Sequence, residues 1–290
     1  MTDAVANYHS RMRRVIDHID ANLDGDLDVG TLCAVAAFSP HHFHRQFTAS
    51  FGVPVGRYVQ LARMRRASAQ LAFRQGSVTE VALDAGYAAP DGFARAFRER
   101  FGQPPSAFRA APDWRRMHAT LAPLHAARRQ LGEAAPPAVS IVTHDATPVA
   151  VLEHRGDPAT IGDTIRRFIG WRRANGLHPS RSATFNIFHC DPRTTPPADY
   201  RLDLCAATQA PIGPNAEGVR QGRIAGGRCA SVRVTGGGDA LEAAALHLYR
   251  DWLPASGEAP GDPLFCRRLR FFPDVPEHAA VSDLFLPLVG

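Results

Sequence analysis

The residues from Phe38 to Gly52 read "FSPHHFHRQFTASFG" and set His41, His42 and His44 within four positions. Imidazoles so crowded suit three chemistries: metal ligation, proton transfer, or contact with another molecule across an exposed face. At ~100° per residue, Phe43, Phe47 and Phe51 share one helical face, and Arg45 lies about 200° from Phe43. His41 then falls within about 40° of Arg45, and His42 and Thr48 within about 60°, so this polar set points outward. Cys33 stands nearby, but the spacing offers a metal no fixed third and fourth ligand. The five cysteines (Cys33, Cys190, Cys205, Cys229, Cys266) are odd in number and contain no C-x-x-C, which predicts free thiols in a reducing compartment.

Around this cluster the sequence has a helical period. "YHSRMRRVIDHIDANL" aligns Met12, Val15, Ile16, Ile19 and Leu23 on one stripe. "LDVGTLCAVAAF" predicts a short apolar helix starting near Asp28 or Thr31, and "VGRYVQLARMRRASAQLAF" a long one running out of Pro54. Ser77, with Glu80 three residues later, has the form of a capping box. "FHRQFTASFGVPVGRY" from Phe43 and "FARAFRERFGQPPSAF" from Phe93 share F-x-R-x-F-x-x-x-F-G-x-P-x-x-x-aromatic at an offset of 50 residues. Arg95 holds the position of Arg45, whereas the second copy has "AAPDG" in place of the histidines. A chemistry requiring imidazole would be missing from one copy. Both copies keep a short helix, a turn and a second helix with an outward arginine, the logic of a helix-turn-helix in a major groove.

From about Arg109 to Pro137 the text is rich in Ala, Arg and Pro, and predicts a linker with a helical stretch around Met117 to Leu131. After Val139 come β-branched, alternating runs, "VSIVT", "PVAVLEH", "ATFNIFH" and "CASVRVT", interrupted by two helical stretches. The expected fold is therefore multidomain: an all-α N-terminal domain with two helix-turn-helix units, then an α+β C-terminal domain. The boundaries are 1–110, a linker 111–138, and 139–290. All 33 basic residues are arginine. Through His118 there are 15 arginines against 11 acids, so the helical part carries most of the net +5 charge, as a polyanionic partner would favour. No stretch approaches the ~18 apolar residues needed to span a bilayer, so no membrane partner is expected and the chain reads as cytoplasmic. No nucleophile motif supports an enzyme, and neither cofactor nor metal is expected.

Residues 8 to 109 resemble the DNA-binding domain of the AraC/XylS family of bacterial transcription regulators. "FSPHHFHRQFTASFG", the "RMRRA" from Arg63, "VTEVALDAGY" and "FARAFRERFGQPPSAFR" carry the resemblance. It implies two recognition helices on a rigid connecting helix, entering successive major grooves about 34 Å apart. The DNA-reading positions it implies are His41, His42, His44 and Arg45, then Pro90, Asp91 and Arg95. The two arginines are placed to meet guanine O6 and N7. RNA polymerase is a further partner consistent with such a regulator. "APDG" departs from the hydroxyl- and amide-rich residues usual in the second helix, which places more specificity in the first.

A second repeat follows. "AVLEHRG" ending at Gly156 leads into a helix with "FIGWRRANG", and "ASVRVTG" ending at Gly236 into one with "LYRDWLPASG". The offset is 80 between the glycines and 81 between Trp171 and Trp252. Strand, helix, strand, strand, used twice, predicts two units with a cleft between them. With "HCDPRTTPPADYRLDLC", "IAGGRCASVRVTGG" and "VSDLFLPL", residues 139 to 290 resemble the gyrase-inhibitor-like (GyrI-like) effector-binding domain. That resemblance implies a small-molecule effector in an aromatic-lined cleft, with Phe188 and Trp252 as candidate aromatics that are equally candidates for the core. The family's F-E-x-Y is written here "FCRRLRFF", putting Cys266 at the acidic position and Arg268 at the tyrosine position. Alternation sets Cys266, Arg268 and Arg270 on one strand face. A cationic ligand would meet arginines without a counter-charge, so the expected effector is neutral or anionic, unless Cys266 itself reacts with an electrophile or oxidant. The alternatives are solvent-facing arginines with Cys266 as core filler, a hydrolase using His189 or His154 with Cys266, and a protein-interaction module.

Overall fold

The computed structural model describes residues 3–130, 137–261 and 263–289. The chain divides into two compact units, Met1–Glu133 with Pro276–His278, and Ala134–Val275 with Ala279–Gly290. Among the described residues no helix is long and apolar enough to cross a membrane.

The first unit is all helical: α1 (Asp3–Ala21), α2 (Val29–Ala36), α3 (Pro40–Phe51), α4 (Val55–Phe73), α5 (Val78–Asp84), α6 (Pro90–Phe101), α7 (Pro105–Ala110) and α8 (Trp114–Arg129). Local chemistry sets the boundaries. Asp28 caps α2 by accepting from the Thr31 amide at 2.9 Å. Ser77 and Glu80 close a reciprocal capping box on α5. Pro40 and Pro90 open α3 and α6, where a missing N–H costs nothing. Gly52 and Gly102 end them at φ +69° and +73°, the left-handed conformation that a side chain resists.

The fifty-residue repeat is a structural repeat. Phe43, Phe47 and Phe51 in α3 correspond to Phe93, Phe97 and Phe101 in α6, and all six are buried. Phe47 meets Tyr58 edge-on at 5.7 Å, and Phe97 meets Phe108 edge-on at 5.3 Å, again fifty residues apart. The stripe Met12, Val15, Ile16, Ile19 and Leu23 lies in the same core.

The expected linker 111–138 is corrected over its first half. α8 starts at Trp114, stacked on Phe73, and buries Trp114, Leu121, Leu124 and Ala127, of which the last three join the helical core. Near its end, Arg128 bonds both carboxylate oxygens of buried Asp20 in α1 (2.7 and 2.8 Å) and the Tyr58 hydroxyl in α4 (3.1 Å). The polar, Ala-rich composition hid an apolar face three and four residues in period. Residues 131–136, including Leu131, lie outside the described residues.

The second unit is α+β. Its strands are β1 (Val139–His144), β2 (Thr147–Arg155), β3 (Thr184–Phe188), β4 (Arg201–Ala207), β5 (Arg220–Ile224), β6 (Gly227–Thr235), β7 (Leu264–Arg270) and β8 (Val281–Pro287). They form one antiparallel sheet in the order β1-β6-β8-β7-β3-β4-β2-β5. α9 (Ile161–Ala174) packs on β2 and β4, and α10 (Gly238–His247) on β6 and β8, so both helices cover one face.

The eighty-residue offset holds for β2 and β6, β3 and β7, and β4 and β8, and it relates β1 to β5 as well. Each repeat thus has a leading strand beyond the expected strand-helix-strand-strand, and the leading strands are exchanged. β1 pairs with β6 of the second repeat, and β5 with β2 of the first. The tryptophan offset of 81 coincides with a π-helical turn at Leu248–Trp252, which absorbs one extra residue.

Two-residue links join β1 to β2 and β5 to β6, although each pair spans opposite halves of the sheet. The sheet therefore curls away from its helices around a second core that includes Phe185, Ile187, Phe265 and Phe285. At the crossing, a Cβ on Gly226 would stand 2.7 Å from the Ala146 amide nitrogen, so only glycine fits.

Candidate nucleic-acid interface and effector cleft

Burial of Phe43, Phe47 and Phe51 turns the rest of α3 outward. His41, His42, His44 and Arg45 are all exposed, as the helical arithmetic requires of His41, His42 and Arg45. Burial of Phe93, Phe97 and Phe101 does the same for Pro90, Asp91 and Arg95 on α6. The two helices occupy equivalent places in the repeat, and so do Arg45 and Arg95.

Three other arginines of this unit are committed to the fold. Arg63 donates to the Leu23 and Gly25 carbonyls (2.9 and 2.7 Å), Arg100 to Gln60 (2.6 Å), and Arg109 to the Gly76 carbonyl (2.6 Å). Arg45 and Arg95 make no hydrogen bond or ion pair among the described residues. Neither α3 nor α6 has a side-chain cap, so their first-turn amides stay open to an anion such as phosphate. Asp91 in the first turn of α6 works against that; α3 has no acid there. Among the described residues no three His, Cys, Asp or Glu side chains are grouped so as to hold a metal ion.

In the second unit the centre of the sheet is the β3–β7 pairing. Its register couples Thr184 with Arg268, Asn186 with Cys266 and Phe188 with Leu264. Asn186 and Cys266 are also eighty residues apart, so the local twofold relating the repeats passes between them. Both are buried on the helix-covered face. Arg268 donates from Nε to Asn186 Oδ1 at 3.0 Å, and the Cys266 sulfur lies 4.0 Å from the same oxygen. Phe188 packs against the apolar clusters under both α9 and α10, and Trp252 against the one under α10. The structure thus brings Phe188, Trp252, Cys266 and Arg268 into one neighbourhood. It adds Asn186, which the eighty-residue offset applied to Cys266 would have identified.

Two expectations change here. A bulge between Arg268 and Arg270 interrupts the alternation, so Arg270 is not held on the Cys266 face by strand geometry. Burial pushes the Cys266 thiol pKa up despite the opposing pull of Arg268, and the side chain is fully inaccessible, the environment of an inert thiol.

The hydrolase alternative also loses its geometry. His189 bonds Asp203 at 3.0 Å on the face opposite Cys266, and His154 is buried against Thr164 at 2.8 Å. Each imidazole is engaged away from the thiol.

Comparison with known proteins agrees with both units. Residues 137–289 match the family model of the GyrI-like small molecule binding domain, and residues 32–111 match a helix-turn-helix domain model. The probable transcriptional regulator YgiV of Escherichia coli K12 is 36% identical over 152 residues, covering 52% of this chain and 95% of that protein. The right origin-binding protein of the same strain is 27% identical over 103 residues, 36% of each chain. The solved DNA-binding domain of AdpA in complex with a target DNA is 31% identical, covering 36% of this chain and 95% of that one, with a TM-score of 0.34.

Proposed function

This chain belongs to the GyrI-like small-molecule-binding family and is an AraC-type transcriptional regulator; from that premise we propose that α3 and α6 read operator DNA under control of a neutral or anionic effector. The carrying observation is the pair Arg45 and Arg95. They hold equivalent positions on two duplicated helices, and both are exposed and unengaged, whereas Arg63, Arg100 and Arg109 are bound within the fold. An unengaged guanidinium on a groove-sized helix can give a bidentate pair to guanine. The three histidines make α3 the richer reader, with contacts to bases or phosphates.

The effector reading rests on the Asn186–Cys266 centre. Arg268 supplies positive charge there, and Cys266 and Asn186 supply no carboxylate, which favours an anionic or neutral molecule over a cation. Phe188 and Trp252 would furnish apolar contact. Control of transcription requires that the effector bind two states of the protein with different affinity. RNA polymerase is the natural further partner.

Fluorescence anisotropy tests the reading. DNA from upstream of the gene is compared with scrambled DNA of equal length over a salt series. The native fragment should bind more tightly, with Arg45→Ala costing about 1–3 kcal/mol of that preference and Arg95→Ala less. Equal binding of both fragments, with an unchanged salt slope in both variants, would overturn base reading by these helices.

A further inference from the structure

The two outermost strands of the sheet are related by the eighty-residue duplication, which makes each a control for the other. Ser140, Ile141, Val142 and Thr143 of β1 correspond to Arg220, Gln221, Gly222 and Arg223 of β5. β5 is guarded in the usual way, with two exposed arginines and a glycine along its free edge. β1 has no such guard. Four successive residues are exposed, two of them large and apolar, Ile141 at 49% and Val142 at 36%. The strand carries no charged side chain apart from the titratable His144 at its end, and no described strand pairs with its outer edge.

An uncovered, uncharged, β-branched edge is a template for another strand. The structure assigns this edge to a second copy of the same chain, paired antiparallel through β1. Charge argues for self-pairing: β5 laid against its own copy would bring arginines together, whereas β1 brings only Ser, Thr, Ile and Val together.

Symmetry restricts the register. In an antiparallel pair of identical strands the twofold axis is perpendicular to the sheet, and directly opposed residues lie on the same face. Opposed positions must then differ by an even number, so the axis passes through a residue, and the two that keep most of the six-residue strand paired are Ile141 and Val142. Val139 packs with the helix-covered core and the His144 ring against Phe185, Phe265 and Phe285, so alternation puts Ile141 on the helix side and Val142 on the other. In either register a β-branched apolar residue meets itself. The contact is smaller than a standard interface, so the dimer should be weak, with Kd on the order of 10 µM.

Sedimentation equilibrium of the full chain, without DNA, tests this from about 1 to 100 µM, the range around that Kd. A monomer–dimer equilibrium is expected, weakened ~tenfold or more by Ile141→Lys and Val142→Lys and unchanged by Arg223→Ala on the opposite edge. Oxidation of Ile141→Cys and of Val142→Cys supplies an independent readout: whichever residue lies on the axis should give a disulfide-linked dimer. A monomer throughout the range, or a dimer indifferent to both lysines and cross-linked by neither cysteine, overturns the assignment. Circular dichroism of each variant confirms that the fold is retained.

Discussion

His144 sits at the corner where β1 turns toward β2, its ring edge-on to Phe185, Phe265 and Phe285 at 6.2, 5.0 and 5.3 Å. Burial holds its pKa below the ordinary 6.5; Arg267 adds to this, and Asp145 opposes it. The unfolded chain therefore takes up a proton that the folded one resists. Stability from this site is full above about 6.5 and falls as pH drops from there toward the lower native value. Urea unfolding at about pH 7.5 and pH 5.5 should show a lower midpoint at the acid pH, and His144→Phe should shrink the difference. At the same scale Cys266 and Asn186 show where one-residue reasoning stopped. Cys266 was legible as a departure from the family pattern, but its partner lies eighty residues away and is set by strand register.

Among the elements, α8 shows most plainly what sequence period can conceal. Its Arg, Ala and Pro content looks like a connector, yet Met117, Leu121, Leu124 and Ala127 recur at spacings of four and three, and the last three are each at most 2% exposed. Leu124→Ala should cost the helical unit about 2–5 kcal/mol in denaturant unfolding, the range for a fully buried leucine; a true linker would lose almost nothing. α3 and α6 are the opposite case. Their phenylalanine spacing, opening prolines and closing glycines were readable, because helix limits depend on residues within a turn or two of the ends. The outward placement of His41, Arg45 and Arg95 followed from that spacing by rotation alone. The strand repeat was legible as punctuation, but the exchange of β1 and β5 was not, since either hairpin partner satisfies the same alternation.

For the sheet as a whole, that exchange has a mechanical consequence. Each repeat contributes its first strand to the other half, so neither can pair all of its backbone alone. A protease site placed between β4 and β5, within residues 209–218, should leave two pieces that co-purify under native conditions and separate only in denaturant. The piece from 219 onward, expressed alone, should lack a folded β signal by circular dichroism. Two pieces that part freely on cleavage would contradict the exchanged pairing.

Composition, period and internal repetition determined by themselves that this chain has a helical part built on a repeated helix pair and a duplicated α+β part, because those features depend on short-range spacing and on what each residue type can bury. They also determined which face of α3 and of α6 is exposed. Only the tertiary structure decided that α8 belongs to the helical core, that Asn186 and Cys266 meet on a local twofold, that His189 and Cys266 stand on opposite faces, and that β1 is an open edge. Each of these depends on which distant strand or helix a segment packs against. A period of two or of 3.6 residues says how a segment presents its side chains and leaves its partner unspecified.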